Sequence, residues 1–153
     1  MKFVAVEDVA APIALVWSHV ADLEAFEDRA RARIGAIQRR PPGPPAQGTV
    51  WSGKADVMGK KRDVTVTAAT IETWSRLTAE AATDGMQVNI NVDLAELGPR
   101  LTRLTVTTEA RARSLAARLM LQSAKLARKT LAKRYKGRIS DLAARIEKSA
   151  AKG

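Results

Sequence analysis

MQVNINVDL, residues 86–94, alternates without a fault. Val88, Ile90, Val92 and Leu94 fall on one side of an extended chain, and Gln87, Asn89, Asn91 and Asp93 on the other. The same period of two runs through WSGKADVM (51–58), RDVTVTAATIET (62–73), RLTAEAAT (76–83) and RLTRLTVTTEA (100–110). Between these stretches stand MGKK, Asp84-Gly85 and Gly98-Pro99, whose residues favour turns. A helix cannot use this pattern. An antiparallel sheet with one buried and one wet face can, and its strands follow one another as hairpins. Pairing about the 97–99 turn sets Asp93 opposite Arg103, a favourable cross-strand pair.

The flanks are different. KFVAVEDV (2–9) reads as a short strand. Ala11-Pro12 then opens a helix in which Ile13, Val16, Trp17 and Val20 recur at helical spacing, and proline suits that first position. Asp22 is placed to cap a second short helix carrying Leu23 and Phe26. RIGAIQR (33–39) reads as a further strand, and RPPGPPAQG (40–48) follows with four prolines and two glycines. That loop is either a portal or a rigid connector between strands. From about 113 to 149 there is no proline and only Gly137, in a stretch rich in Ala, Leu, Lys and Arg. It reads as one long helix, open to a break near its start. Ala117, Leu121, Ala124, Leu131, Tyr135, Ile139, Leu142 and Ile146 make its apolar stripe.

At 153 residues the chain is expected to form one domain, residues 1–153, with a core that needs no covalent staple. It has no cysteine, which excludes disulfides, zinc thiolates, iron–sulfur clusters and cysteine nucleophiles. The single histidine, His19, excludes a multi-histidine metal site. No metal and no cofactor are expected. Glu7 and Asp8 interrupt the apolar start, which argues against a signal peptide, and no apolar run is long enough to cross a membrane. The expectation is a soluble, cytoplasmic protein. There is no GxSxG, no Gly-rich phosphate loop and no triad, so no catalytic residue is named and enzymatic activity stays open.

Strand, two short helices, a curved antiparallel sheet and a long C-terminal helix make an α+β order that resembles the helix-grip fold. VEDVAAPIALVWSHVADLEAFE (6–26 and Glu27) is similar to the opening of the SRPBCC superfamily (START-like, birch-pollen-allergen-like), in which a strand, "aP", a "VW" helix and Asp-Leu come in that order. Gly48 and Gly59 fall where that family starts a strand and turns a hairpin. ELGPRLTRLTVTTEA resembles its last hairpin, and RISDLAARIEKS the end of its helix. The resemblance implies a hydrophobic cavity between sheet and helix. Relatives use it to bind lipids, polyketides or other apolar ligands, and some are cyclases or hydrolases. It implies no shared catalytic residues.

The inward strand positions agree with that. Trp51, Gly53, Ala55 and Val57 share a face, as do Val64, Val66, Ala68 and Thr70, and Leu77, Ala79, Ala81 and Thr83; many are small. Such a face under one helix either encloses volume or packs closely against residues such as Leu131 and Tyr135. The expected walls are Trp51, Val66, Ala79, Ile90, Met120, Leu131 and Tyr135. Arg128 falls within the apolar stripe of the helix, where a guanidinium must be paired or wet. It either meets the polar end of a ligand or snorkels outward. Asp22, Glu24, Glu27 and Asp28 read as a solvated helix face.

Charge is split along the chain. Residues 1–110 hold 13 basic and 14 acidic side chains; residues 111–153 hold 13 basic ones against Asp141 and Glu147 alone. Arg118, Lys125, Lys129, Lys133 and Lys136 form one stripe away from Tyr135, the back of a helix lying on a sheet. Its shortage of acids suits an anionic surface. Leu115, Leu119 and Leu126 beside it favour a membrane over nucleic acid, for which no recognition motif or stacking aromatic is present. The expected partner is a hydrophobic or amphipathic small molecule; the basic stripe reads first as the solvated back of the helix, and second as a peripheral contact with an anionic membrane. A cyclase or dehydratase using the same cavity, and an accessory protein binding a partner through the helix, are the alternatives.

Overall fold

The computed structural model describes residues 1–57 and 59–153. Strand β1 (Lys2–Val9) leads through Pro12 into helices α1 (Ile13–Val20) and α2 (Leu23–Ile34), then β2 (Ile37–Arg40). Five long strands follow as a meander: β3 (Val50–Val57), β4 (Lys60–Glu72), β5 (Arg76–Thr83), β6 (Met86–Gly98) and β7 (Leu101–Ala112). Helices α3 (Leu115–Leu126) and α4 (Arg128–Lys152) end the chain. The sheet is antiparallel throughout, in the order β1-β7-β6-β5-β4-β3-β2, so β1 closes onto the last strand. This is a helix-grip arrangement, with the two short helices after β1 and the long helix at the end. Met58, expected at the end of β3 and in the following turn, lies outside the described residues.

The core sits at one end of the sheet. Val9 and Ala11 meet Val16 and Val20 of α1, Leu104 and Val106 of β7, and Ala143 and Ile146 of α4, all buried. Thr102, also buried, donates its hydroxyl to the Ala11 carbonyl at 2.9 Å and pins the β1–α1 corner. The Asp22 carboxylate accepts the Ala25 N–H at 3.1 Å, so α2 starts where its cap predicts.

Register departs from the sequence reading in two places, each at a bulge. β6 and β7 shift between Glu96 and Gly98, so Asp93 faces Thr105, and Ala95 faces Arg103. The expected Asp93–Arg103 pair does not form. Asp93 instead binds Arg76 of β5 (Nε to Oδ1, 2.8 Å), and Arg103 binds Asp8 of β1 (2.8 Å). A second shift, between Ala68 and Thr70 of β4, brings Ile71 opposite Leu77. Thr70 faces Thr78 and leaves the inner face assigned to it.

Two further boundaries differ. Residues 33 and 34 end α2, so RIGAIQR yields a strand only from Ile37. The long helix expected over 113–149 is two helices that break at Ala127, whose N–H bonds to the Ala124 carbonyl at 3.0 Å and ends α3. The 40–48 loop is tied at both ends: Arg39 Nη1 donates to the Gly43 carbonyl (2.7 Å), and Gln47 Oε1 accepts the Ile71 N–H (2.9 Å). These bonds favour the connector reading over the portal.

Candidate functional site

The helices lie on one face of the sheet, yet they do not cover it evenly. α4 runs along β1, α1 lies over β6 and β7, and α2 over β2 and β3. The register lines up the inner face in rows: Trp51, Val66, Ala81 and Val88 in one, and Ala68, Ala79, Ile90, Thr108 and Phe3 in the next. Ala68 is buried, while Val64, Val66, Ala79, Ala81, Val88 and Ile90 are only half-buried. Hydrophobic side chains on the inner side of a seven-stranded sheet are thus left without full cover. These rows are rich in small side chains, Ala68, Ala79 and Ala81 among them, which offer little apolar bulk for a helix to pack on. Met120 of α3 and Leu131 of α4 are half-buried as well.

Trp51 is on the inner face, but its indole is already engaged. Nε1 donates to Glu27 Oε1 at 3.0 Å. Glu27, assigned to a solvated helix face, is buried instead. Its other oxygen lies 2.9 Å from Arg39 Nη2, and Arg31 approaches at 3.4 Å. This cluster ties α2 to β2 and β3 and closes one flank of the inner face. Buried carboxylates need such partners. Glu24 is exposed and only brushes Arg39 at 3.8 Å.

Tyr135 also serves the fold. Its hydroxyl donates to the Val106 carbonyl at 2.9 Å and lies 3.0 Å from Thr108 Oγ1, while its ring meets Phe3 with centroids 5.6 Å apart. Burial raises the phenol pKa above its usual value of 10, and the Thr108 hydrogen bond offsets part of this. Arg128 is the first residue of α4 and is exposed. Its guanidinium stands 5.8 Å over the Phe3 ring and reaches the Lys2 carbonyl at 3.4 Å. The break at Ala127 interrupts the stripe from Ala117 to Tyr135, and Arg128, the first residue after it, is exposed.

Besides Arg39, which lies opposite Trp51 and is spent on Glu27, a second inward cation is legible from alternation. Arg62 of β4 lies opposite Ala55 of β3 and its side chain is only 17% exposed. Nε donates to the Val57 carbonyl (3.0 Å), Nη1 pairs with Asp84 (3.0 Å), and Nη2 points at the Met120 sulfur, 4.0 Å away. A sulfur is a weak acceptor, so Nη2 keeps most of its capacity for a stronger one. Alternation alone marks Arg62 as inward, in line with Val64 and Val66, and that signal was present in RDVTVTA.

The basic residues Arg118, Lys125, Lys129, Lys133 and Lys136 are all exposed. His19 lies in a surface cleft of about 500 Å³ between α1, α2 and α4, with Asp22, Arg29 and Arg145. No group of metal-ligating side chains occurs among the described residues. Among the described residues no helix is long and apolar enough to cross a membrane.

No family model and no curated protein matches the sequence. Solved structures do match the fold. The chain is similar to the Zhui aromatase/cyclase of Streptomyces sp. R1128, with a TM-score of 0.64 at 18% identity over 96% of this chain and 93% of that one. It is similar to norcoclaurine synthase from Thalictrum flavum, with a TM-score of 0.67 at 12% identity over 100% and 87%. A START superfamily protein from Mycobacterium smegmatis gives 0.56 at 19% identity over 92% and 98%. At such identities the likeness is one of architecture: the chain has the helix-grip fold shared by SRPBCC and START-like proteins.

Proposed function

We propose that this protein binds an apolar or amphipathic small molecule, lipid- or polyketide-like in class, between the inner face of the sheet and helices α3 and α4. The observation that carries this reading is the half-buried apolar inner face of Val64, Val66, Ala79, Ala81, Val88 and Ile90, on strands whose neighbours β1 and β7 carry the contacts with α4 and α3. Apolar surface left open on the inside of a fold is costly in water unless something occupies it. Met120 and Leu131 supply the opposite wall. Arg62 Nη2 is the cation placed to meet a ligand's polar end, and Arg128 serves at the rim. Collection of the ligand at an anionic membrane surface suits the basic, acid-free stretch that follows β7. That an aromatase/cyclase and a norcoclaurine synthase share the fold supports small-molecule binding, and makes turnover a second outcome to watch for.

The test is native mass spectrometry of gently purified protein, repeated under denaturing conditions. A retained mass that leaves on denaturation is expected. Uptake of an anionic apolar dye, 1-anilinonaphthalene-8-sulfonate, gives a second readout. Ala79→Phe should weaken it about tenfold by filling the space. Arg62→Leu should weaken the anionic dye but not the neutral N-phenyl-1-naphthylamine. A bare chain that takes up neither dye would remove the proposal.

A further inference from the structure

Helix α3 carries an apolar face that no described residue covers. Leu115, Leu119 and Leu126 are 74%, 56% and 92% exposed. At 100° per residue they fall within roughly 40° of one another, a single stripe about 16 Å long. The opposite face is the one that packs, with Ala117 buried and Met120, Leu121 and Ala124 half-buried. Arg118 and Lys125 flank the leucines, and Lys129 continues that flank past the break. From Ala110 to Ser140 there are ten lysines and arginines and no acid.

We propose that α3 docks this protein onto an anionic lipid bilayer, leucines in the acyl boundary and bases among the headgroups. Exposed leucines between cations are the pattern that an interfacial helix needs. Each base near an anionic surface adds attraction, and the leucines add burial that free phosphate groups cannot offer. The other occupants fit less well. A second copy would set two acid-free basic faces against each other, which is repulsive. Duplex nucleic acid would use the bases but leave three leucines in water. The break at Ala127 has a purpose in this picture. It lets α3 turn its leucines outward while α4 keeps Tyr135, Ile139 and Leu142 against the core.

α3 also stands at the edge of the ligand space. Ser114 caps it, Arg113 N–H bonds to the Gly85 carbonyl at 2.6 Å, and Met120 lies over Arg62. Docking on α3 therefore presents that edge to the bilayer. This last step rests on the ligand-binding reading; the docking itself does not.

The experiment is co-sedimentation of the full chain with vesicles of phosphatidylcholine alone and of phosphatidylcholine with one quarter phosphatidylglycerol, at low and high salt. Binding to the anionic vesicles should be at least about tenfold stronger, and should fall with salt. The triple variant Leu115→Ser, Leu119→Ser, Leu126→Ser should lose at least about tenfold while melting at the wild-type temperature, because these side chains are exposed. Ala79→Phe, which fills the ligand space, should keep vesicle binding intact, so that failure of ligand uptake and failure of docking are read apart. The proposal is overturned by equal binding to both vesicle types, or by a well-folded leucine variant that binds like wild type. It is also overturned by a dimer that the variant splits, or by retention on duplex DNA without vesicle binding.

Discussion

Removing the Glu27 carboxylate should be among the more damaging single changes away from the central core. In Glu27→Ala the Trp51 indole N–H loses its 3.0 Å acceptor, and an orphaned donor of this kind costs about 1–3 kcal/mol. Arg39 loses its 2.9 Å partner. Breaking a buried pair costs about 3–5 kcal/mol when the survivor has nowhere to turn. Arg39 does have somewhere to turn: it keeps the Gly43 carbonyl at 2.7 Å and can lean on Glu24. The loss on that side therefore falls well below the full figure. The sum is about 3 kcal/mol, which for a chain of this size lowers Tm by roughly 6–12 °C. Glu27→Gln keeps an acceptor for Trp51 but not the charge for Arg39, and should cost about half as much. Urea unfolding with Trp51→Phe as the second arm of a double-mutant cycle isolates the indole bond, expected at about 1 kcal/mol. A Glu27→Ala variant within about 0.5 kcal/mol of wild type would refute this account of how α2 is held.

Tyr135 is the only tyrosine, so its titration can be followed directly by ultraviolet absorbance. Its raised pKa means that the folded state holds the phenolic proton more tightly than the unfolded chain. Stability from this source is full below about pH 10 and is lost as pH rises through the folded value; Tyr135→Phe should abolish that alkaline loss and cost about 1 kcal/mol at neutral pH. Asp8 titrates below the usual carboxylate value because Arg103 hydrogen-bonds to it. NMR titration of Arg103→Ala should show the Asp8 midpoint rising toward the ordinary range, and an unmoved midpoint would deny the pairing across β1 and β7. Gly85 holds φ at +76°, and a Cβ there would lie 2.7 Å from that of Ser114; Gly85→Ala should cost about 1–3 kcal/mol, and circular dichroism should show early melting with loss of the α3 cap.

The sheet was legible because alternation is a local signal, written into each strand and needing no partner to read. β6 shows this best, with every second residue polar from Gln87 to Asp93. Its bulges were not legible. An extra residue at Ala69 or Leu97 leaves the alternation on each side intact and changes only which residues meet across the ladder, so Asp93 was paired with the wrong arginine. Glu27 reads as solvated from α2 alone, since Glu24 and Asp28 beside it are exposed. Its partners, Arg39 and Trp51, lie 12 and 24 residues on, and only the fold brings them together. The break at Ala127 carries no glycine or proline to announce it. That one break leaves Arg128 exposed at the first turn of α4.

The same break bears on why Arg62 and not Arg128 lies inside. An arginine within an apolar wall needs acceptors at fixed positions. Here the sheet provides them: Val57 offers its carbonyl, and Asp84 reaches in from the β5–β6 turn. A helix whose carbonyls are spent on its own ladder offers a side chain at its first turn little but solvent, and Arg128 finds only the weak 3.4 Å contact with Lys2. The cation held by two strong contacts stays half-buried with one nitrogen to spare, while the loosely held one stays wet. Under the ligand-binding proposal, a polar group inside this fold is to be sought on the sheet, and Arg62→Leu, set against Arg128→Leu, tests that order.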